Sequence, residues 1–573
     1  MGSIRLLEES LIAKIAAGEV VENPASIVKE LLENSIDAGA RRVYIALRYG
    51  GRQTIEVIDD GVGMDMDDAK MSVQRHATSK IQNANDLNNI KTLGFRGEAL
   101  ASIAAVSKLT IKTKKHDSLI GTELFVEGGK LNYAKESACP NGTLVRVEEL
   151  FYNVPARQKF LKPPEKELKK VVDIVSQQAL IYPLIEFKLS NDGITLLDCH
   201  ATSDWLARLA SIFNRKIVKE VVAVNYADSA VQVVGFISKP QFDRGDKSRQ
   251  ITYVNSRCIN SKLLNDAIYE GFKGYLGVGR HPQAILNIMV PVGNVDVNVH
   301  PNKKEVRFSN QQDVETAVIR AIRDALTQES TVPIIQKPTY QHNLINATSI
   351  STEMQEILWN KPNIGVSTIS NYPEETVRPN YETEGIRILG QVAKTYIIAE
   401  KDRGIIIIDQ HAAQERVLYE KFLEQYRKKN VAMQALLEPI VFEASASESI
   451  SLQLSKNLLE QFGFYVEEFG KNTFLLRKIP TMFSGSAVSK IFSDIVNSLS
   501  AKKHIEAKEE ENIIRKSCRT AVKANCQLEV HEMRSLLTEL FQSKEPYTCP
   551  HGRPTMISYP LEELEKIFKR KGF

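Results

Sequence analysis

Along 27–37, Ile27, Val28, Leu31 and Leu32 recur at helical spacing and leave Glu30, Asn34 and Asp37 on the opposite side, which predicts an amphipathic helix. Thr54-Ile55-Glu56-Val57-Ile58 alternates like a half-buried strand and runs into Asp59-Asp60-Gly61-Val62-Gly63. β-Branched runs in 216–239, 250–259 and 284–299 predict a second α/β unit. Periodicity then stops, and 331–384, rich in Pro, Asn, Thr, Ser and Glu, predicts a flexible linker with a short helical patch at 354–359. From Ile386 the pattern returns as strands at 388–391, 396–400 and 404–409, the last with the buried run 405–408, then a helix from Gln410. A second amphipathic helix is expected over 447–462 and a strand over 473–476.

The fold class expected is α/β and α+β multidomain, with units at 1–213, 214–330 and 385–573 around the linker 331–384. A hydrophobic share of 43% with 25% charged residues excludes a fibrous or disordered chain. No apolar run approaches the roughly 20 residues of a membrane span, so no membrane partner and a cytoplasmic location are expected. The net charge of +4 permits nucleic-acid binding without demanding it. Arg41-Arg42, Lys162 with Lys166, Lys169 and Lys170, and Arg427-Lys428-Lys429 are phosphate-contact candidates, though such runs are as readily solvated faces. Six scattered cysteines read as reduced thiols or metal ligands, with Cys139, Cys199, Cys258 and Cys526 assigned to packing.

Two constellations carry candidate chemistry. Asp409-Gln410-His411-Ala412-Ala413-Gln414-Glu415 puts His411 and Glu415 on one side of a helix after a buried strand. With Cys518 and the segment Cys549-Pro550-His551, it offers thiolate, imidazole and carboxylate, a set suited to zinc, while carboxylates alone suit manganese or magnesium. A charged surface helix beside a turn that contains Cys and His is the plain alternative. In the first third, Leu93-Gly94-Phe95-Arg96-Gly97-Glu98 precedes an Ala-rich helix and could turn free backbone N–H groups toward phosphate. No Gly-x-x-x-x-Gly-Lys-Ser/Thr run is present, which excludes a P-loop.

Glu30 with Asn34, Asp59-Asp60-Gly61-Val62-Gly63, Gly94 to Glu98 and Asn141-Gly142-Thr143 together resemble the ATP site shared by gyrase, a heat-shock chaperone, sensor histidine kinases and MutL. Ile15 to Glu22, Arg75-His76-Ala77-Thr78-Ser79-Lys80 and Phe151 to Arg157 resemble MutL signatures in particular. The Asp409 to Glu420 stretch resembles the endonuclease motif of nicking MutL proteins, and Cys549 to Pro554 and Ser517-Cys518-Arg519 resemble its companions, the last with Ser where Ala is usual.

That resemblance implies an ATPase unit, a transducer unit and a C-terminal dimerisation and endonuclease unit. Glu30 would activate water, Asn34 would hold Mg²⁺, Asp59 would read adenine with Gly63 and Thr143 beside it, and Gly94, Phe95, Arg96, Gly97 and Glu98 would wrap the phosphates. Lys303 would reach the γ-phosphate from the second unit. Asp60 stands where many relatives have Asn, with little effect expected. Asp409, His411, Glu415, Cys518, Cys549 and His551 would hold Zn²⁺ or Mn²⁺, with Asp409 and Glu415 catalytic and Glu420 without an assigned role. Gln434, Leu436, Leu437 and Pro439 resemble a sliding-clamp-binding motif. Implied partners are duplex DNA, the mismatch sensor MutS, a DNA sliding clamp and a second copy of the chain. A non-nicking, ATP-driven matchmaker with a structural metal is the alternative. A topoisomerase subunit would need a strand-passage domain that is not discernible.

Overall fold

The helix predicted over 27–37 starts three residues earlier, because Asn23 caps it by accepting the Ser26 N–H at 3.2 Å and Pro24 occupies its first turn. In this computed structural model the described residues are 17–18, 20–80, 92–94, 97–277, 279–296, 306–329, 385–484, 488–501, 507–522, 526–568 and 570. The expected linker with its helical patch, and Phe95, Arg96 and Lys303, lie outside them.

Helix α1 (Pro24–Asp37) buries Ile27, Val28, Leu31 and Leu32 against the inward residues of an eight-stranded sheet, among them Val43, Ile45, Ile55 and Val57. Each such side chain contributes roughly 1.5–3 kcal/mol. The strands are β1 (Arg42–Arg48), β2 (Thr54–Asp59), β3 (Lys108–Lys114), β4 (Gly121–Glu127), β5 (Lys130–Ser137), β6 (Gly142–Glu148), β7 (Glu186–Asn191) and β8 (Ile194–Cys199), in the order β5-β4-β3-β6-β2-β1-β7-β8. Helices α2 (Ala99–Ala105) and α3 (Pro164–Ile181) add to the same core.

A second sheet has the order β12-β11-β13-β10-β9, from β9 (Val221–Ala227), β10 (Gln232–Ser238), β11 (Gln250–Val254), β12 (Arg257–Ile259) and β13 (Ala284–Met289). Its core is shared with α4 (Lys262–Gly271) and α5 (Gln311–Glu329), while β14 (Val295–Asp296) pairs with β15 (Arg307–Phe308). The β-branched run at 216–239 opens with a helical turn, Ile217–Glu220, before β9 begins.

The C-terminal part is α+β. A four-stranded sheet, β16 (Arg387–Val392), β17 (Tyr396–Lys401), β18 (Gly404–Asp409) and, last in sequence, β22 (Met556–Pro560), leads from β18 into helix α6 (Gln410–Arg427). A three-stranded sheet follows, from β19 (Met433–Glu443), β20 (Tyr465–Gly470) and β21 (Thr473–Pro480), with helices α7 (Ala446–Leu454), α8 (Lys456–Gln461), α9 (Val488–Ala501), α10 (Ala507–Ala521) and α11 (Val530–Gln542). The single helix expected over 447–462 is therefore two, broken at Ser455. Packing is divided along this segment: Ala446 and Ile450 join the core of the first sheet, whereas Leu452, Leu459 and Phe462 join the C-terminal core.

Buried ion pairs tie α7 and α9 to the second sheet unit. Glu448 accepts from Arg244 and Arg249, each at 3.1 Å, and Arg280 Nη1 lies 2.9 Å from Asp494 Oδ2. Burial opposes ionisation of Glu448, but the charges of Arg249 and Arg244 outweigh it and hold its carboxyl down to about 2.

Candidate functional sites: a nucleotide pocket and a metal cluster

Antiparallel pairing of β2 with β6 sets Asp59 directly opposite Thr143, although 84 residues separate them in sequence. A cavity of about 960 Å³ opens there and is lined by Glu30, Asn34, Asp59, Gly63, Gly94, Gly97, Glu98 and Thr143. Ser35 Oγ donates to Asp59 Oδ2 at 2.8 Å and Gly61 N–H to Oδ1 at 3.0 Å. Burial raises the pKa of Asp59, and hydrogen bonds from Ser35, Gly61 and Thr143 offset part of the rise. The result is a fixed, half-buried acceptor that suits an exocyclic amino group.

Neighbouring Asp60 turns the other way. It accepts the N–H groups of Arg41 at 2.7 Å and Arg42 at 2.9 Å, and Arg42 Nε at 3.0 Å, so it secures the start of β1. Gly63 has φ +69, and a Cβ there would stand 2.1 Å from the Lys114 carbonyl oxygen. Close backbone approach at the end of β3 thus demands glycine, a reason separate from access by a base.

The lid segment departs from expectation. The N–H groups of Leu93 and Gly94, anticipated as free phosphate donors, donate to Asp37 at 2.9 and 3.1 Å, because this carboxylate on the polar face of α1 is the nearest acceptor. Lys80 is a pocket residue to which sequence reading gave no role. Its Nζ lies 3.0 Å from Asn34 Oδ1 and 2.6 Å from Asp37 Oδ2. The signal was available in the Arg75 to Lys80 signature, but a loop lysine has no periodicity to place it.

The second constellation assembles because β18 pairs with β22, with Ile408 opposite Met556. That register puts the end of β18 beside the turn carrying Cys549 and His551, and Asp409 N–H donates to Thr555 O at 2.9 Å. Ligand atoms of Glu415, Cys549 and His551 all lie within 4.8 Å of one another, with His551 Nδ1 2.8 Å from Glu415 Oε1. Asp409, His411 and Cys518 do not join that group of three. The Asp409 carboxylate caps α6 by accepting Ala412 N–H at 3.0 Å.

His411 and Cys518 are nevertheless coupled electrostatically to Glu415, the first acting on it and the second acted on by it. Burial pushes the Glu415 carboxyl up, but neighbouring His551, then His411 and Cys549, outweigh it and hold the carboxyl below its usual range. Burial, and then the charge of Glu415, push the Cys518 thiol well above its ordinary value. His411 Nδ1 is buried without a hydrogen-bond partner, a cost of about 1–3 kcal/mol. Carboxylate, thiol and imidazole converge at Glu415, Cys549 and His551, and this donor set fits a divalent metal ion.

The segment Gln434 to Pro439 lies within β19. Between Ala435 and Ile440 the register with β21 shifts, and Leu436, Leu437, Glu438 and Pro439 bulge from the ladder. Leu437 is fully exposed while Leu436 packs against the core. Within the basic runs, Arg42 pairs with Asp60, Lys170 with Glu167, Arg427 with Glu511 and Lys428 with Glu424.

Residues 22–149 match the family described as histidine kinase-, DNA gyrase B- and HSP90-like ATPase, which makes the first pocket that of an ATPase of this class. Residues 209–327 match a DNA mismatch repair protein C-terminal domain, and 389–528 a MutL C terminal dimerisation domain. The chain is 37% identical to DNA mismatch repair protein MutL of Thermoanaerobacter sp. (strain X514) and 38% identical to that of Caldanaerobacter subterraneus subsp. tengcongensis, each over 100% of both chains. A solved N-terminal domain of a DNA repair protein aligns with TM-score 0.48 and 28% identity, over 56% of this chain and 98% of that one. The chain belongs to the MutL family of DNA mismatch repair proteins. Among the described residues no helix is long and apolar enough to cross a membrane.

Proposed function

We propose that this chain acts as an ATP-gated homodimeric clamp that couples mismatch recognition by MutS to repair and nicks duplex DNA at its C-terminal cluster. The convergence of Glu415, Cys549 and His551 carries the nicking part of this reading. Glu30 orients water toward the γ-phosphate, Asn34 Oδ1 binds Mg²⁺, and Asp59, braced by Ser35 and Gly61, accepts the adenine amino proton. Gly94 to Glu98 wrap the phosphates, and Lys303 reaches the γ-phosphate from the second unit, so nucleotide state becomes domain orientation.

Dimerisation uses the outward face of the four-stranded sheet. Ile398, Ile407 and Ile557 lie side by side there, and Leu389, Val392 and Tyr396 are exposed nearby, an apolar surface suited to a second copy. At the cluster, Glu415, Cys549 and His551, joined by Asp409, His411 and Cys518, would hold Zn²⁺ or Mn²⁺. A divalent ion there supplies Lewis-acid stabilisation of the leaving oxygen and a water of lowered pKa. Asp409, fixed at the start of α6 two residues before His411, would be the carboxylate that takes up a proton in this reaction.

Supercoiled plasmid with Mn²⁺ tests this. Wild type should yield relaxed circles and Asp409→Asn should yield at least about 100-fold fewer. Equal yields would leave an ATP-driven scaffold with a structural metal. Docking on a sliding clamp through Gln434, Leu436, Leu437 and Pro439 has its own check. Leu437→Ala should weaken clamp binding by about tenfold or more, read by surface plasmon resonance, without unfolding the chain, since this side chain touches solvent alone. Unchanged affinity would remove the segment from consideration.

A further inference from the structure

Glu420, on the same helix as Glu415, has a partner set that gives it work. Its Oε2 accepts the Lys544 N–H at 2.7 Å and its Oε1 the Glu545 N–H at 3.2 Å. Arg416, only 4% exposed, donates from Nε to the Thr548 carbonyl oxygen at 2.6 Å and from Nη2 to Thr548 Oγ1 at 3.4 Å. The same guanidinium lies 3.1 Å from Glu545 Oε2 and 3.5 Å from Glu420 Oε1. Thr548 immediately precedes Cys549, and the turn beyond is closed on itself by Cys549 N–H to Arg553 O at 2.7 Å and Gly552 N–H to Cys549 O at 2.9 Å.

We propose that Arg416 and Glu420 are positioning residues that strap segment 544–548 to α6 and so hold Cys549 and His551 in ligating register against Glu415. The proposal rests on reading that cluster as a metal centre. Helical spacing makes the strap possible: Arg416 is the next residue after Glu415 and Glu420 lies one turn beyond Arg416, so one rigid element carries both a ligand and the clamp for two others. A guanidinium fork suits this task because it reaches a carbonyl, a hydroxyl and two carboxylates at once, whereas a lysine offers a single point charge. Burying that cation is tolerable because Glu420 and Glu545 face it. Without the strap, Cys549 and His551 are held to α6 only through the turn's own bonds, such as Thr555 N–H to Tyr547 O at 3.0 Å, and through the pairing of β22 with β18.

Full-length Glu420→Ala, Glu420→Gln and Arg416→Lys are compared with wild type in two assays. The first is zinc retention against a chelator of known affinity, and the second is hydrogen exchange of peptides covering 544–553. ATP hydrolysis controls for the fold of the first sheet's domain, and unchanged hydrogen exchange in β20 and β21 controls for that of the C-terminal part. Glu420→Ala and Arg416→Lys should lose about 10–100-fold in zinc affinity and exchange faster at Lys544 and Glu545. Glu420→Gln, which keeps one acceptor, should recover part of both. Wild-type zinc affinity and exchange in Glu420→Ala would overturn the strap. If wild type itself binds no zinc, the metal reading fails, and the strap then stands or falls on exchange at Lys544 and Glu545 alone.

Discussion

Glu30→Gln should slow ATP hydrolysis about 10²–10⁴-fold while leaving ATP binding close to wild type. The substitution keeps the volume and reach of the side chain but removes the proton acceptor. Glu30 lines the cavity one helical turn before Asn34, with the apolar half of α1 buried beneath, so the helix itself is not perturbed. Phosphate release under saturating ATP, together with binding of a fluorescent ATP analogue, separates the two effects. Hydrolysis at the wild-type rate would remove Glu30 from the chemistry. Loss of binding would instead make it a structural residue of the pocket.

The second large effect is expected from Glu415→Ala. Glu415 sits at the middle of the cluster: it touches His551, its charge raises the Cys518 thiol, and His411 and Cys549 lower its own carboxyl. Removing it deletes one ligand and the anion against which the imidazoles are set. Bound metal should fall below one equivalent and plasmid nicking should drop by roughly 10³-fold, with ATP hydrolysis retained because the pocket lies in the first sheet's domain. Elemental analysis and the relaxation assay read these outcomes in one preparation. Undiminished metal in Glu415→Ala would place the ion elsewhere.

Much of this architecture was legible because it is written locally. The face of α1, the alternation in β2 and the run 405–408 each follow from a period that backbone geometry imposes. Features decided by tertiary contact were not. Nothing in 447–462 signals that Ile450 and Leu452, two residues apart, serve different cores, nor that the helix breaks at Ser455. The same holds for the bulge at 436–439, which depends on the register of β21, and for Asp37, whose capture of the Leu93 and Gly94 amides requires the folded lid. Among the candidate ligands, Glu415, Cys549 and His551 come together through β18–β22 pairing, a contact across about 150 residues that only recognition of the motifs could anticipate.

Anomalous diffraction at the zinc and manganese edges from crystals of the full chain tests the central claim most directly. A peak about 2.0–2.3 Å from Glu415, Cys549 and His551 is the predicted result. Well-ordered side chains at these positions with no anomalous density between them, in crystals grown with either metal, would contradict it.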